Sequence, residues 1–409
     1  MEVKIDRIKK DLDMINSFSA SPGPGITRFT FSKEYMEAIS YIKNELEKVG
    51  AAVSFCRAGN VRGRLAGNEK GKPAVMAGSH IDTVWEGGRF DGLVGVVAAL
   101  EAARVIQEEK LSHRHPIDVV IFAEEEGSRF GSVLAGSRAW VGKIGSGNLF
   151  QMKDQDGISY LTALKKAGII IEDDSILKAE QVKAMLELHI EQSVVLERKG
   201  LQIGVVEAIA GIYQFLVTLQ GVANHAGATP MGYRYDALQG AVRVISAVEE
   251  IAKESPSKDT VGTVGIIHCF PGQANVIPGK VQFTVDIRDP SPSVLDETVE
   301  KTKKIIEKTC RDRSLTNEIN LRSNTPPIHL SENMVSLIER MAKKNRIPFS
   351  KMVSGAVHDS STLAELSEVG MIFVPSREGR SHCPEESTDL RDIKVGAEIL
   401  LAALAELAA

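Results

Sequence analysis

The chain has 409 residues, of which 43% are hydrophobic and 25% charged, and this length predicts roughly two or three domains. Its formal net charge is -5 and its sequence pI is near 6.1. Such a chain has no global positive field for a phosphate backbone, so nucleic acid is excluded as an expected partner.

The N-terminal segment MEVKIDRIKKDLDMINSF alternates charged and apolar residues at helical spacing and lacks the features of a signal peptide. No later apolar run is long enough to cross a bilayer, so a membrane is not an expected partner either. The cysteines form no Cys-x-x-Cys pair, which argues against a zinc knuckle or a disulfide framework. We therefore expect a reducing, cytoplasmic setting.

The first half of the chain alternates predicted helices with short apolar strands. Ser32 to Gly50 reads as an amphipathic helix with a serine start and a glycine stop. Apolar runs that begin at Ala74, Ile117 and Ala184 predict buried strands, and LVGVVAALEAARVIQEE predicts a helix between two of them. This alternation favours an α/β layer on a largely parallel mixed sheet flanked by helices.

The pattern changes after Gly211, where QFLVTLQG, TVGTVGIIH and VQFTVDIRD predict half-buried strands and helices begin at Ala237 and Pro292. Pro326 and Pro327 mark a linker, after which a helix, the strand MIFVP and a C-terminal helix resume the first pattern. We predict a discontinuous catalytic domain, residues 1–209 and 327–409, with an inserted α+β domain at 210–326.

The segment GSHIDTVWEGGRFDG places a histidine and two aspartates in a glycine-rich loop after a predicted strand. Strand ends of α/β sheets are where ligands bind. His80 offers an imidazole nitrogen and Asp91 offers two oxygens that can bridge two cations, while Asp82 is positioned to orient the His80 ring.

The segment FAEEEGSRF places three adjacent carboxylates after another predicted strand. Buried together they repel one another, unless cations or shared protons offset the charge. One carboxylate of Glu124–Glu126 can bind metal while a neighbour takes a proton from water. Spacing alone leaves open which glutamate has which role.

Taken singly, an acidic triplet is usually a solvated turn and a histidine usually a structural residue, as we interpret His113, His115, His268 and His329. Five candidates nevertheless combine nitrogen and oxygen ligands at predicted strand ends or loops, a set that suits zinc, manganese, cobalt or nickel. They are His80, Asp91, Glu126, His189 in ELHIEQS and His382 in SHCPEE.

Several of these segments recur together in one known family. In chain order they are GITRFTFS, GSHIDTV, GGRFDG, EEEGSRF, ELHIEQ, NHAGATPMG, NVIPGK, DIRD, HDS and SHCPEE. In this series the chain resembles, essentially end to end, the hydantoinase/carbamoylase branch of the dinuclear-metal aminopeptidase and aminoacylase superfamily.

The resemblance implies two divalent metal ions that share Asp91, and it implies that Glu125 is the general base. It implies one metal held by His80, Asp91 and His189, and the other by Asp91, Glu126 and His382. It also implies that the inserted domain is a lid and dimerisation domain, and therefore that the enzyme is a homodimer.

The resemblance further implies substrate contacts. His225 in NHAG would polarise the substrate carbonyl from across the dimer, and Asn275 and Arg288 would hold a substrate carboxylate. Gln192 in HIEQ is a further substrate-binding candidate. Tyr213 stands where allantoate amidohydrolases of the family tend to carry a substrate-binding arginine.

The resemblance implies an amidohydrolase that cleaves the carbamoyl amide of N-carbamoyl-L-amino acids and releases amino acid, ammonia and carbon dioxide. The first alternative is an allantoate amidohydrolase, which Tyr213 disfavours. A dipeptidase or aminoacylase is less favoured because His189 lies in the HIEQ setting of the carbamoylase branch. A non-enzymatic metal-binding protein would lack a ligand or the base, and Ser193 and Val357, where the chain departs from the family pattern, remove neither.

Overall fold

The computed structural model describes residues 2–409 and divides into two compact units. The first contains the chain up to Glu207 together with Leu330–Met352 and Val357–Ala409. The second contains Ala208–His329 and Val353–Ala356. The predicted insertion, 210–326, lies inside the second unit, which also takes up the tetrapeptide from Val353.

Strands and helices alternate along the chain. The strands are β1 (Ala52–Phe55), β2 (Val61–Leu65), β3 (Ala74–His80), β4 (Ile117–Phe122), β5 (Val182–Ile190), β6 (Ile203–Ile209), β7 (Gly211–Gln220), β8 (Asn224–His225), β9 (Val261–Thr263), β10 (Ile267–Phe270), β11 (Val276–Ile277), β12 (Lys280–Asp289), β13 (Thr316–Thr325), β14 (Ile328–His329), β15 (Phe349–Ser354) and β16 (Glu368–Val374). The α-helices are α1 (Ile5–Asn16), α2 (Lys33–Lys48), α3 (Leu93–Glu108), α4 (Ala135–Trp140), α5 (Ser146–Gln151), α6 (Tyr160–Lys166), α7 (Val195–Lys199), α8 (Ala237–Lys253), α9 (Pro292–Arg313), α10 (Glu332–Lys344), α11 (Asp359–Leu363) and α12 (Leu390–Ala408). Within residues 2–409, none of these helices combines the length and the apolar character needed to cross a membrane.

The sheet of the first unit follows the order β1, β2, β4, β3, β5, β16, β6. Its four central strands, β4, β3, β5 and β16, are parallel, whereas β2 and β6 pair with them in the antiparallel direction. The predicted α/β class with a largely parallel mixed sheet is confirmed. Because the central strands are parallel, their carboxyl ends lie at one edge of the sheet.

Continuous apolar runs form the centre of this sheet, since helices cover strands of this kind on both faces. Strands β3 and β4 are buried along their whole length. Gly78 is required in β3 because a Cβ there would lie 1.9 Å from the Val120 carbonyl oxygen. Helix α2 begins as predicted, with the Ser32 side chain accepting a hydrogen bond from the Tyr35 amide.

The second unit is an antiparallel sheet with helices α8 and α9 packed on one face. The sheet order is β10, β12, β7, β13, and β9 pairs with β12. Alternate residues of β12 are buried and join the core with α8 and α9, among them Val281, Phe283, Val285 and Ile287. The intervening residues of β12 therefore lie on the other face of the sheet.

Candidate active site

Side chains of the types that can bind metals are concentrated where the four central strands of the first unit end. His80 is the last residue of β3, and Glu125 and Glu126 lie in the loop that follows β4. His189 is the penultimate residue of β5, and His382 follows β16. Parallel neighbours bring these segments to the same edge, although they are far apart in sequence.

The structure brings the ligand candidates into two groups that share Asp91. One contains His80, Asp91 and His189, the other Asp91, Glu126 and His382, and the ligand atoms of each group lie within 4.8 Å of one another. Asp91 Oδ1 is 3.2 Å from His189 Nε2, and Asp91 Oδ2 is 2.9 Å from His382 Nε2. The two oxygens of one carboxylate thus face two different groups, as a bridging ligand requires.

Backbone carbonyl groups orient the rings of His80 and His189. His80 Nδ1 is 3.0 Å from the Asp82 carbonyl oxygen, and His189 Nδ1 is 2.9 Å from the Ile190 carbonyl oxygen. A carbonyl can only accept, so each Nδ1 carries the proton and each Nε2 presents its lone pair. Both rings are therefore in the tautomer that binds a metal through Nε2.

Asp82, which the sequence placed as an orienting residue for the His80 ring, contacts both that ring and the end of β4. Its carbonyl oxygen orients His80, whereas its carboxylate Oδ1 is 3.8 Å from the ring nitrogen. The carboxylate instead accepts hydrogen bonds from the backbone amides of Glu125 at 3.3 Å and Glu126 at 3.1 Å. Asp82 thereby connects the loop after β3 to the end of β4, and burial raises its pKa to about 6.

The electrostatics of the site fit divalent cations. Burial raises the pKa of Glu125 and of Glu126 well above the usual range, and the neighbouring carboxylates raise both further. Burial also opposes ionisation of Asp91, yet its hydrogen bond with His382 holds its pKa below the usual range. These carboxylates repel one another and face the lone pairs of imidazole nitrogens. A divalent cation bound between them stabilises such an arrangement.

The side chains of the two adjacent glutamates approach different histidines. Glu126 Oε1 lies 3.4 Å from His382 Nε2, within the second group. Glu125 belongs to no ligand group found among residues 2–409, and its Oε2 lies 3.7 Å from His80 Nε2. Glu125 therefore lies beside the ligand candidates without belonging to either group.

A third group of possible ligands, Glu187, His189 and His358, escaped the sequence reasoning. Glu187 accepts hydrogen bonds from the Ser79 and Ser360 hydroxyls at 2.6 and 2.5 Å. The His358 ring packs edge-on against His189, with centroids 4.5 Å apart. Glu187 and His189 are two residues apart and therefore lie on one face of β5. This strand periodicity was the signal in the sequence that Glu187 lies near His189.

His225 and Asn275 lie next to each other in the second unit. Strand β8, which contains His225, pairs with β11, and the Ala226 amide donates to the Asn275 carbonyl oxygen at 2.9 Å. His225 Nδ1 accepts from the Gly227 and Ala228 amides at 3.0 and 3.2 Å. The ring proton is therefore on Nε2, so this exposed histidine presents an N–H donor.

Arg288 is held at three of its five N–H groups, all by partners in the second unit. Nε and Nη2 donate to Asp286 at 2.8 and 3.2 Å, and Nη1 donates to the Gly355 carbonyl oxygen at 2.7 Å. Gln214 donates to the same Asp286 carboxylate at 3.1 Å. One N–H remains on each Nη, and these two N–H groups can donate to the oxygens of a carboxylate.

This cluster borders a cavity of about 600 Å³ in the second unit. The cavity is lined by Gln214, Val261, Thr263, Gly265, Ile266, Thr284, Asp286, Arg288 and Gly355. The volume is sufficient for a small metabolite.

Tyr213 lies on the other face of the sheet from Arg288. It packs against the core of the second unit, edge-on to Phe215 at 5.9 Å, with Lys303 Nζ 5.3 Å from its ring. Gln214 shares the Arg288 face. Strand alternation, applied to β7, was the signal that favours Gln214 over Tyr213 as the substrate-facing residue.

Gln192, the other substrate-binding candidate, contacts Asp91 in this structure. Its Nε2 lies 3.2 and 3.0 Å from the two carboxylate oxygens and 3.2 Å from Ser381 Oγ. The amide therefore lies directly beside the shared metal-ligand candidate.

Comparison with known proteins agrees with this geometry. Residues 76–406 match peptidase family M20/M25/M40. The chain is 39% identical over 399 residues to an N-carbamoyl-L-amino-acid amidohydrolase from Pseudomonas sp. (strain NS671), covering 97% of this chain and 96% of that one. It is 35% identical over 401 residues to the allantoate amidohydrolase of Escherichia coli (strain K12), covering 98% and 97%. The crystal structure of a hydantoinase/carbamoylase family amidase from Burkholderia multivorans superposes with a TM-score of 0.94 at 32% identity, covering 100% and 98%.

Proposed function

The chain belongs to peptidase family M20/M25/M40, and from this membership we propose that it hydrolyses the carbamoyl amide of N-carbamoyl-L-amino acids. The observation that carries the proposal is Asp91, whose two oxygens face two groups of metal-ligand candidates. The identity of 39% to an N-carbamoyl-L-amino-acid amidohydrolase over nearly the full length of both chains supports this substrate class.

We assign two divalent ions to these groups, with zinc or manganese favoured and cobalt or nickel also suited to the mixed donors. One is held by His80, Asp91 and His189, the other by Asp91, Glu126 and His382. Bound there, the ions supply Lewis acidity that acidifies water and polarises the substrate carbonyl.

The remaining chemistry belongs to side chains of the protein. Glu125 takes a proton from water as the water oxygen adds to the carbamoyl carbon, and it returns the proton to the leaving nitrogen. Cleavage of the bond between the carbamoyl carbon and the amino-acid nitrogen yields the amino acid and carbamic acid, which then decomposes to ammonia and carbon dioxide. The raised pKa of the buried Glu125 carboxyl, caused first by burial, favours a group that both accepts and returns a proton.

Arg288 and Asn275 are proposed to bind the substrate carboxylate. The two N–H groups that Asp286 and Gly355 leave on the Arg288 guanidinium match the two carboxylate oxygens. This arrangement also suits allantoate, the alternative substrate. The resemblance places an arginine near position 213 in allantoate amidohydrolases, and this chain has Tyr213 and Gln214 there, which favours the carbamoyl amino acid.

We also propose a homodimer in which the partner subunit's His225 donates its Nε2–H to the substrate carbonyl oxygen. A mixture of His225→Ala and Glu125→Ala proteins should then regain activity on subunit exchange. The expected recovery approaches about a quarter of the wild-type rate, because half the dimers are mixed and each has one intact site. Verified exchange without recovery would refute the action of His225 across the dimer.

We also propose that the protein is cytoplasmic. The cysteines, Cys56, Cys269, Cys310 and Cys383, are free thiols in this structure. Free thiols are typical of reducing compartments.

The experiment that tests the proposed function measures ammonia release from N-carbamoyl-L-amino acids and allantoate by chelator-treated protein, before and after manganese or zinc is restored. We expect metal-dependent turnover of carbamoyl amino acids. Turnover confined to allantoate would select the alternative. N-acetyl amino acids and dipeptides need a parallel assay for free amino groups, and turnover only there would indicate an aminoacylase or dipeptidase.

A further inference from the structure

Glu386 is a buried carboxylate that the proposed chemistry does not use. It lies four residues after His382, and only 3% of it is exposed. Its Oε1 accepts hydrogen bonds from the backbone amides of Phe90 at 2.8 Å and Asp91 at 3.1 Å. Its Oε2 accepts from the Ser381 hydroxyl at 2.8 Å. Both oxygens are therefore engaged by segments that carry metal-ligand candidates.

Ser381 extends this contact to the Asp91 side chain. Its Oγ lies 3.2 Å from Asp91 Oδ2 as well as 2.8 Å from Glu386 Oε2. Glu386 thus contacts Asp91 directly at the backbone amide, and the two carboxylates lie on either side of the Ser381 hydroxyl, which has one proton to donate. Asp91 and Glu386 are 295 positions apart in sequence, so this contact joins two loops that only the fold brings together.

Gly88 shows how closely the Glu386 carboxyl group packs on the loop before Asp91. A Cβ at Gly88 would lie 2.0 to 2.2 Å from the carboxyl carbon and oxygens of Glu386. Real Cβ atoms do not approach other atoms so closely, so the loop needs glycine here for the carboxylate to reach the amides of Phe90 and Asp91. The contact of Glu386 with this loop therefore depends on glycine at position 88.

Burying a carboxylate beside Asp91 is unfavourable, since both groups are negative and neither is solvated. Three hydrogen bonds offset that cost, and each of them also fixes a loop next to the site. A glutamine could offer the same oxygen to the two amides and donate its Nε2–H to Ser381 Oγ, which separates the geometry from the charge.

We propose that Glu386 is a positioning residue that fixes Asp91 and the Ser381–His382 turn in the arrangement that holds the second metal. The inference rests on the proposed function, because it concerns the ion assigned to Asp91, Glu126 and His382. Residues of this kind, which orient ligands without touching the ion, typically change metal affinity by about 10- to 100-fold.

The test measures release of Zn²⁺ from the zinc-loaded full-length protein to a chromophoric chelator. In Glu386→Ala we expect one of two zinc equivalents to leave about 10- to 100-fold faster than in wild type. Glu386→Gln should release zinc at a rate close to wild type. The matched control is Glu385→Ala, which removes the adjacent exposed glutamate that lies 3.8 Å from Arg380 and should leave release unchanged.

Two results would contradict a positioning role for Glu386. Equal release from wild type and Glu386→Ala, or equally fast release from the Gln and Ala variants, would overturn the positioning role. A wild-type protein that binds no zinc under any condition would overturn the proposed function as well. Melting of the zinc-free variants checks that they fold.

Gly88→Ala provides a second route if Glu386→Ala does not fold. Its methyl group displaces the Glu386 carboxyl group, so zinc release should accelerate as in Glu386→Ala. Combining the two substitutions should add little to either single effect, because both remove one interaction. Full additivity would mean that Gly88 and Glu386 act separately and would contradict the inference.

Discussion

At the scale of single residues, surroundings decide the chemistry of identical side chains. Glu125 and Glu126 are adjacent, and Asp82 accepts hydrogen bonds from both of their amides. Glu126 nevertheless approaches His382, whereas Glu125 approaches His80. The two glutamates should therefore fail in different ways when they are changed.

Glu125→Gln should lower kcat about 10²- to 10⁴-fold, the usual effect of a general base, and should retain both metal equivalents. Glu126→Gln should lose one equivalent, because a neutral amide is a poorer ligand than a carboxylate. Metal content by elemental analysis, measured together with kcat, distinguishes the two. Loss of metal from the Glu125 variant would make Glu125 a ligand instead.

The two faces of β7 lead to a second prediction. Gln214→Ala removes the hydrogen bond that holds Asp286 beside Arg288, which is worth about 0.5–1.5 kcal/mol, so KM for a carbamoyl amino acid should rise several-fold. Tyr213→Phe keeps the ring in the core and should leave KM unchanged. If Tyr213→Phe alone raised KM, Tyr213 would be the substrate-facing residue after all.

At the scale of elements, the strand ends were predictable because apolar runs followed by His80, Glu125 and His189 are visible in the sequence. Parallel pairing then brings those ends together without further information. Contacts between loops were not predictable. Glu386 reaches the Asp91 amide across 295 positions, and no local pattern specifies that pairing.

The role of Asp82 was predictable only in part, for a related reason. Proximity in sequence indicated a contact with His80, but a hydrogen bond from a backbone carbonyl leaves no trace in side-chain identity. The connection from the Asp82 carboxylate to the end of β4 depends on the register of β3 and β4. Register between separated strands is a tertiary property.

This connection between loops can be tested. Asp82→Ala leaves the buried Glu125 amide and the half-buried Glu126 amide without an acceptor, at a cost of roughly 1–3 kcal/mol for a buried group, and should lower both the melting temperature and the zinc content. Asp82→Asn keeps one acceptor oxygen and should show a smaller loss. The exposed Asp156→Asn is the matched control. Unchanged zinc affinity in Asp82→Ala would show that the loops keep their positions without this contact.

At the scale of the whole molecule, the chain divides its functional candidates between two units. The metal-ligand candidates and Glu125 belong to the first unit, whereas His225, Asn275 and Arg288 belong to the second. The change of pattern after Gly211 predicted an insertion because antiparallel strands with one buried face alternate in sequence and buried parallel strands do not. The short return of Val353–Ala356 to the second unit has no compositional signal.

The concentration of buried carboxylates in the first unit predicts how metal and pH act together on stability. Burial raises the pKa of Asp82 from 3.8 to about 6 and that of Glu124 from 4.5 to about 7. In the metal-free protein the folded state therefore retains protons that the unfolded chain has released. The contribution of these two protonated carboxyl groups to the free energy of unfolding is fully present below about pH 4. It is lost as the pH rises through about 6 to 7.

Divalent cations should remove most of that loss, because they stabilise the ionised carboxylates around them. The melting temperature of the metal-free protein should then fall by several degrees between about pH 5 and pH 7.5, while that of the zinc-loaded protein changes less. Calorimetric melting of both forms over this range measures the difference, and proton release on adding zinc near pH 6.5 gives an independent readout. Parallel curves without proton release would mean that bound ions do not stabilise the ionised forms of these carboxylates, and would contradict the prediction.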